Sequence, residues 1–280
     1  MTDFNRVRNY YKKFDEKNRL KNDSSGRLEF LMTMGILENY LPEIPAHDDI
    51  SILDLGGAAG VYSFPLAKKG YKVTLADLSE ELIALAEKQK KEETADNLVS
   101  CDVVNATDLS IYNENQFDVV LLFGPLYHLL ENEERQKCIS EIKRVLKPGG
   151  KVFASFIPYL SGSIALLTRF YWLPEQVNIN TLCEVFKSGK FNNLSDAGFQ
   201  EGYYPTTEEI EALFSENGFE KILLRSIRGF GYEKEDMLFK FENTENFGKI
   251  LNLIDATATD KSIIDMCGHA LYAGCKKLMC

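Results

Sequence analysis

The sequence predicts an α/β fold: a mostly parallel sheet with helices on both faces, extended by an N-terminal helical cap and a long insertion at one edge. Three observations predict it. Apolar runs of strand length alternate with helical patterns from residue 51 onward. The first run, SILDLGGAAGVYSFPLAKKG over residues 51–70, ends in an acidic residue and enters a glycine turn. The second, residues 71–76, also ends in an acid, Asp77. Such alternation requires right-handed crossovers between parallel strands, and it places a ligand at the strands' carboxyl ends.

Each element follows in order. Residues 1–45 carry Tyr10, Tyr11, Leu20, Leu28, Phe30, Leu31, Met34, Leu37 and Leu41 near helical spacing, and Pro42 and Pro45 close this cap. Ile52, Leu53 and Leu55 suit a buried parallel strand, and Gly56, Gly57 and Gly60 let the backbone turn sharply and approach a ligand. After the second strand, Ser79 reads as a helix cap, Glu80 and Glu81 as first-turn acids, and Leu82, Ile83, Leu85 and Ala86 as an apolar face. Residues 97–101 make a third strand ending at Asp102, and 117–123 a fourth. Residues 131–146 form an amphipathic helix terminated by Lys147-Pro148-Gly149-Gly150, and 151–156 a fifth strand. Regularity fails over 157–204, where helix fragments, glycines and the only tryptophan, Trp172, mark a candidate lid. Thr206-x-x-Glu209 is a capping box opening a helix that stops at Gly218. Residues 219–228 and 270–277 supply two last strands, with a largely helical stretch over 239–266.

At 280 residues with a net charge of -10, the chain fits one large domain with additions and has no basic footprint for nucleic acid. No apolar run reaches the length of a membrane span, and MTDFNRVRNYYKKF lacks the apolar centre of a signal peptide. A cytoplasmic protein without a membrane partner is therefore expected. The six cysteines are scattered, and Cys267, His269, Cys275 and Cys280 lack paired C-x-x-C spacing, so neither disulfides nor a metal is expected.

Spacing decides the cofactor. A dinucleotide site needs G-x-G-x-x-G directly after the strand, but Leu55 stands where the first glycine belongs. Aligned as Asp54-x-Gly56-x-Ala58-x-Gly60, with Ala58 at the usual middle glycine, the segment resembles the first motif of class I S-adenosylmethionine (SAM) methyltransferases. Asp77 lies close to the roughly 20-residue spacing expected of a ribose-binding carboxylate. Residues 117–130, FDVVLLFGPLYHLL, are similar to the D-x-V-L-x-L-G-P-L-Y-H-L signature of bacterial type-11 methyltransferases, as are the insertion and the ending GHALYAGCKK.

The resemblance implies a Rossmann-like seven-stranded sheet in order 3-2-1-4-5-7-6 with strand seven antiparallel, divided into a cap (1–45) and a SAM-binding domain (46–280) containing a substrate lid (157–204). It implies that Gly56, Gly57, Ala58 and Gly60 line the methionine part of SAM, Asp77 and Leu78 the ribose, Asp102 and Val103 the adenine edge, and Phe123 and Gly124 the methyl-donor side. Tyr11 and Arg19 stand open between reaching the SAM carboxylate and ordinary helix packing. The product would be S-adenosylhomocysteine (SAH).

Methyl transfer from a sulfonium asks the protein mainly for alignment in a dry pocket. Tyr159, Phe170, Tyr171 and Trp172 of the insertion are candidates for its aromatic lining. A hydroxyl or amine acceptor must lose a proton, and His128 is the leading base because imidazole titrates near neutral pH, with Tyr127 orienting the acceptor or sharing the proton transfer. His128 also fits a structural role, and His47 and His269 have weaker cases. The expected function is transfer of a methyl group to oxygen or nitrogen of a small molecule. Methylation of RNA or protein, a non-catalytic SAM-binding role and NAD-dependent oxidoreduction are the rivals. Monomer and homodimer are both open.

Overall fold

Five parallel strands form the centre of the molecule: β1 (Ser51–Leu55), β2 (Lys72–Asp77), β3 (Leu98–Val103), β4 (Phe117–Phe123) and β5 (Leu146–Phe156). A short hairpin, β6 (Lys190–Asn192) and β7 (Glu201–Tyr203), stands apart, and β8 (Phe219–Ser226) and β9 (Ala270–Lys276) complete the main sheet. This computed structural model describes residues 2–13, 19–44 and 49–278. The seven-stranded sheet runs β3-β2-β1-β4-β5-β9-β8, with β9 antiparallel to both neighbours, as the resemblance implies.

The helices in chain order are α1 (Phe4–Lys13), α2 (Arg19–Asn22), α3 (Ser24–Tyr40), α4 (Ser63–Lys68), α5 (Glu80–Glu93), α6 (Pro125–His128), α7 (Asn132–Val145), α8 (Tyr159–Trp172), α9 (Ile179–Ser188), α10 (Thr207–Glu216), α11 (Glu235–Phe239), α12 (Glu245–Thr257) and α13 (Lys261–Met266). Alternate strand residues point to opposite faces, so each face builds its own core. On one face Leu53, Leu55, Val120 and Leu122 pack with Ile139 and Ile142 of α7, Phe214 of α10 and Ile264 of α13. On the other, Ile52, Val73, Val119 and Phe153 pack with Leu28 and Leu37 of α3, Leu66 of α4, Ile83 of α5 and Ile254 of α12. The cap helix α3 thus shares the sheet's core. Among the described residues no helix is long and apolar enough to cross a membrane.

Several boundaries differ from the sequence reading. β3 continues through Asp102 to Val103 instead of ending before them. β5 starts at Leu146, because the Lys-Pro-Gly-Gly segment stays extended beside β4 across a register shift. The insertion forms α8, α9 and the unforeseen hairpin around a small core of Leu166, Val177, Leu182, Val185, Phe191 and Tyr204. The Thr206/Glu209 capping box is present, with each side chain bonded to the other residue's main chain.

Candidate active site

A cleft opens at the carboxyl ends of β1, β2 and β4, where the sequence places most of its candidate residues. Gly56 turns the chain with φ +80°, and its N–H donates to the Ala76 carbonyl at 2.7 Å. A Cβ there would stand 2.6 Å from Pro125 Cδ, and one at Gly57 would stand 2.3 Å from Leu75 Cδ1. Only glycine leaves this cradle open. Ala58 adopts the left-handed φ of 50° that the usual glycine would supply freely, at a cost of about 1 kcal/mol. Gly60, φ +88°, closes the turn against Phe64 and lies outside the cleft lining.

Asp77 spans the mouth of the turn. Its Oδ2 accepts the Ala58 N–H at 2.9 Å and its Oδ1 the Ser79 N–H at 2.8 Å, which fixes the carboxylate beside Leu78 on the cleft wall. Asp54 sits beneath, fully buried. Its Oδ2 accepts from Ser63 Oγ at 2.6 Å, while Oδ1 has no partner among the described residues. Burial pushes its carboxyl up to about 6; the Ser63 hydrogen bond opposes this, and the nearby Asp77 charge adds a smaller rise. A cradle with no Cβ at Gly56 and Gly57, and beside it a buried carboxyl with one oxygen unpartnered among the described residues, fit a cationic amino-acid moiety such as the methionine part of SAM.

The adenine assignment needs correction. Asp102 and Val103 are outside the lining: the Asp102 carboxylate accepts from Ser100 Oγ and Tyr112 OH, each at 2.9 Å, and Val103 is exposed. Because β3 runs on, the residues after it, Val104, Asn105 and Ala106, reach the cleft instead, with Leu82 of α5. Phe123 and Gly124 do line it, the ring held edge-on by Tyr62 at 5.2 Å.

Helix α1 forms the opposite wall. Tyr11, left open by the sequence, lines the cleft, its hydroxyl 2.8 Å from His128 Nε2. Arg19 opens α2, but its side chain lies outside the described residues, as do His47 and Cys280. The sequence reading missed Arg8, one turn before Tyr11 on the same helical face. It lines the cleft, and its Nε has no hydrogen-bond partner among the described residues.

His128 and Tyr127, both on α6, meet the site, but the premise for His128 changes. The ring is buried, its Nδ1 has no partner of hydrogen-bond geometry among the described residues, and burial lowers its pKa to about 4 against a weaker opposing pull from the Glu201 main chain. It is neutral at neutral pH instead of titrating there. Tyr127 stacks on the His269 ring at 5.9 Å, and His269 Nδ1 lies 2.9 Å from Glu29 Oε2.

The four insertion aromatics are absent from the lining. Tyr171 and Trp172 are 73% and 70% exposed, Phe170 packs in the insertion's own core, and Tyr159 OH donates to the Phe186 carbonyl. Phe199, also outside the lining, backs it instead, 5.2 Å from the His128 ring and 6.1 Å from that of Tyr127. Among the described residues no group of three or more histidine, cysteine or carboxylate side chains is placed to hold a metal.

Residues 53–154 match a family described as a methyltransferase domain. The ubiquinone biosynthesis O-methyltransferase of Coxiella burnetii is 30% identical over 172 residues, 57% of this chain and 70% of that protein. The chain belongs to the class I SAM-dependent methyltransferases. A second methyltransferase relative, the ubiquinone/menaquinone biosynthesis C-methyltransferase of Zymomonas mobilis, is 34% identical over 136 residues, 48% of this chain and 52% of that protein, so the chain spans about half its length. The fold of a SAM-dependent methyltransferase from Methanosarcina mazei superposes with a TM-score of 0.60 at 22% identity, over 87% of this chain and 98% of that one. Membership of this family makes SAM the cofactor and removes the oxidoreductase reading.

Proposed function

We propose that this methyltransferase acts on an oxygen or nitrogen of a small phenol- or quinol-like acceptor, in a cleft where Gly56, Gly57, Ala58, Asp77 and Leu78 hold SAM. The observation that carries the acceptor class is the buried, neutral His128. A ring held to about 4 is a weak base, and proton transfer is efficient when donor and acceptor strengths match. It suits a hydroxyl that is already acidic, a phenol or enol, over an aliphatic alcohol. The ubiquinone and menaquinone enzymes among the relatives support the same class, and the net charge of -10 weighs against RNA. The Zymomonas relative, a C-methyltransferase, favours ring carbon of such an acceptor as the second reading.

SAM, when bound, supplies an electrophilic methyl group that leaves sulfur by in-line displacement. The chain's own residues do the rest. Asp77 would accept hydrogen bonds from ribose hydroxyls. Asp54, ionised, would offset the positive charge of the methionine part. Val104, Ala106 and Leu82 give the apolar walls that a base requires, and Arg8 and Tyr11 close the side facing α1. Tyr127, backed by Phe199, would exclude water around the acceptor, so charge interactions there are strong. The acceptor's proton would reach His128 Nε2 by way of the Tyr11 hydroxyl that contacts it.

Calorimetric titration of SAM and SAH into wild type and Asp77→Ala tests the site. Loss of a charged hydrogen-bond acceptor should weaken both by about 1.5 to 3 kcal/mol; unchanged affinity would discredit the assignment. Transfer assays with catechols and hydroxyquinones against aliphatic alcohols then test the acceptor, and equal turnover on alcohols would remove the phenol reading.

A further inference from the structure

Helix α8 is built inside out. Its buried side carries Ser161, Gly162 and Ser163 with Leu166, and Ser161 Oγ accepts the Gly268 N–H at 3.0 Å. Its outer side carries Leu160, Ile164, Leu167 and Tyr171 at the i, i+4, i+7 spacing of one helical stripe, followed by Trp172. Every exposed residue of α8 is uncharged, and its one charge, Arg169, is half-buried over the Phe191 ring. Burial in water alone would place such a stripe inward and the serines outward. A contiguous exposed apolar face of this kind marks a binding surface.

We propose that the outer face of α8 docks on a phospholipid bilayer, the helix lying in the interface plane. Charge selects this occupant. The chain carries 42 acidic residues and a net charge of -10, yet α8 has no carboxylate. A protein so acidic can approach a membrane of negative surface potential only through a face poor in carboxylates, which is what α8 presents. The chemistry of the face agrees: Tyr171 and Trp172, edge to face at 4.7 Å at the helix end, are the residue types that sit at headgroup level. Helix α9, packed against α8, also exposes an apolar line of Ile179, Cys183 and Phe186, while its Glu184 and Lys187 follow a separate line one residue on.

Docking there has a use at the active site. The insertion that carries α8 also carries Phe199, which touches the Tyr127 and His128 rings, so the bilayer-facing element is continuous with the cleft wall. A lipid-soluble acceptor would pass from membrane to cleft along one element. This use rests on the quinol-like acceptor proposed above; the docking itself does not.

Trp172 is the only tryptophan, so its emission reports on this face alone. Wild type, Leu167→Glu and, as a control on an exposed loop, Ile111→Glu are mixed with phosphatidylcholine vesicles, with and without phosphatidylglycerol, and followed by fluorescence and flotation. The expected result is a shift of Trp172 emission to shorter wavelength and co-flotation for wild type and Ile111→Glu. Leu167→Glu should partition roughly tenfold or more weakly, because an apolar contact is lost and a charge added. Absence of shift and flotation in wild type overturns the proposal, as does a concentration-dependent emission shift with a dimer in sedimentation without vesicles. Transfer to water-soluble, tail-less catechols separates the two readings. If Leu167→Glu loses vesicles but keeps wild-type turnover on them, docking stands as a delivery surface. If wild type binds vesicles but methylates no phenol or quinol, docking stands and the acceptor reading falls.

Discussion

At the residue scale, two buried groups beside the cleft titrate in opposite directions over nearly the same range. Asp54 is raised from 3.8 to about 6, so the folded protein holds a proton there that the unfolded chain has released. Stability therefore falls as pH rises through that window. His128 is lowered from 6.5 to about 4, so the unfolded chain holds the extra proton and stability rises as pH rises from about 4 to 6.5. Each contribution is worth about 3 kcal/mol, and in wild type they largely cancel. Asp54→Asn should make the stability curve between pH 4 and 6.5 climb more steeply than wild type, and His128→Gln should make it climb less or fall. Denaturant titrations across that range check this; parallel curves for all three proteins would mean that neither group is shifted as its burial demands. The same Asp54 should make SAM affinity grow as pH rises through about 6, a slope absent in Asp54→Asn. Position alone announced Asp54 as a motif member; its protonation state comes from complete burial, which no local sequence pattern states.

At the element scale, the β1 turn and α6 are mutually fitted: the Gly56 backbone and the Pro125 ring occupy adjoining space. Gly56→Ala meets left-handed strain of about 1 to 2 kcal/mol and overpacking of about 1 to 3 kcal/mol. The expected loss in denaturant midpoint corresponds to about 2 to 5 kcal/mol; less than 1 would show that the turn has slack. Elements of this kind were legible. β4 was read to the residue, because a buried parallel strand is a continuous apolar run and Gly124-Pro125 ends it. β3 was misjudged at its end, where Asp102 interrupts the apolar run although pairing with Ala76 continues, and the cleft lining accordingly begins at Val104 and its neighbours instead of at Asp102 and Val103. The hairpin β6–β7 was illegible because three-residue strands carry no period. α8 was read only as a helix fragment of an irregular insertion, and Tyr171 and Trp172, candidates for the pocket lining, stand exposed on it. Spacing fixes which residues share a face, not which solvent that face meets.

At the scale of the whole molecule, the active site is closed by segments from opposite ends of the chain's order, and this was the least legible part of all. The Thr2 main-chain N–H donates to Glu134 Oε1 on α7 at 3.0 Å, and the Asp3 N–H donates to Glu201 Oε1 on β7 at 2.9 Å. Arg6 makes the principal tie: Nε donates to Gln200 Oε1 at 3.0 Å, Nη1 to Asn192 Oδ1 at 2.6 Å and Nη2 to the Asn193 carbonyl at 2.8 Å. These bonds hold α1, with Arg8 and Tyr11 on its cleft face, against the insertion's hairpin, while α3 belongs to the sheet's core. The cap expected over residues 1–45 therefore divides into a part built into the core and a part, α1, held by these polar contacts, each net worth about 0.5 to 1.5 kcal/mol, and by the few apolar contacts of Phe4, Val7 and Tyr10. Segments held this way open locally at a fraction of the global cost. Arg6→Ala should leave the global denaturation midpoint within about 1 kcal/mol of wild type, speed hydrogen exchange of the α1 amides, and raise the SAH dissociation rate several-fold in stopped-flow measurements. Faster exchange with an unchanged dissociation rate would mean that α1 moves without gating the cleft, and ligand would then enter from the side of α5 instead.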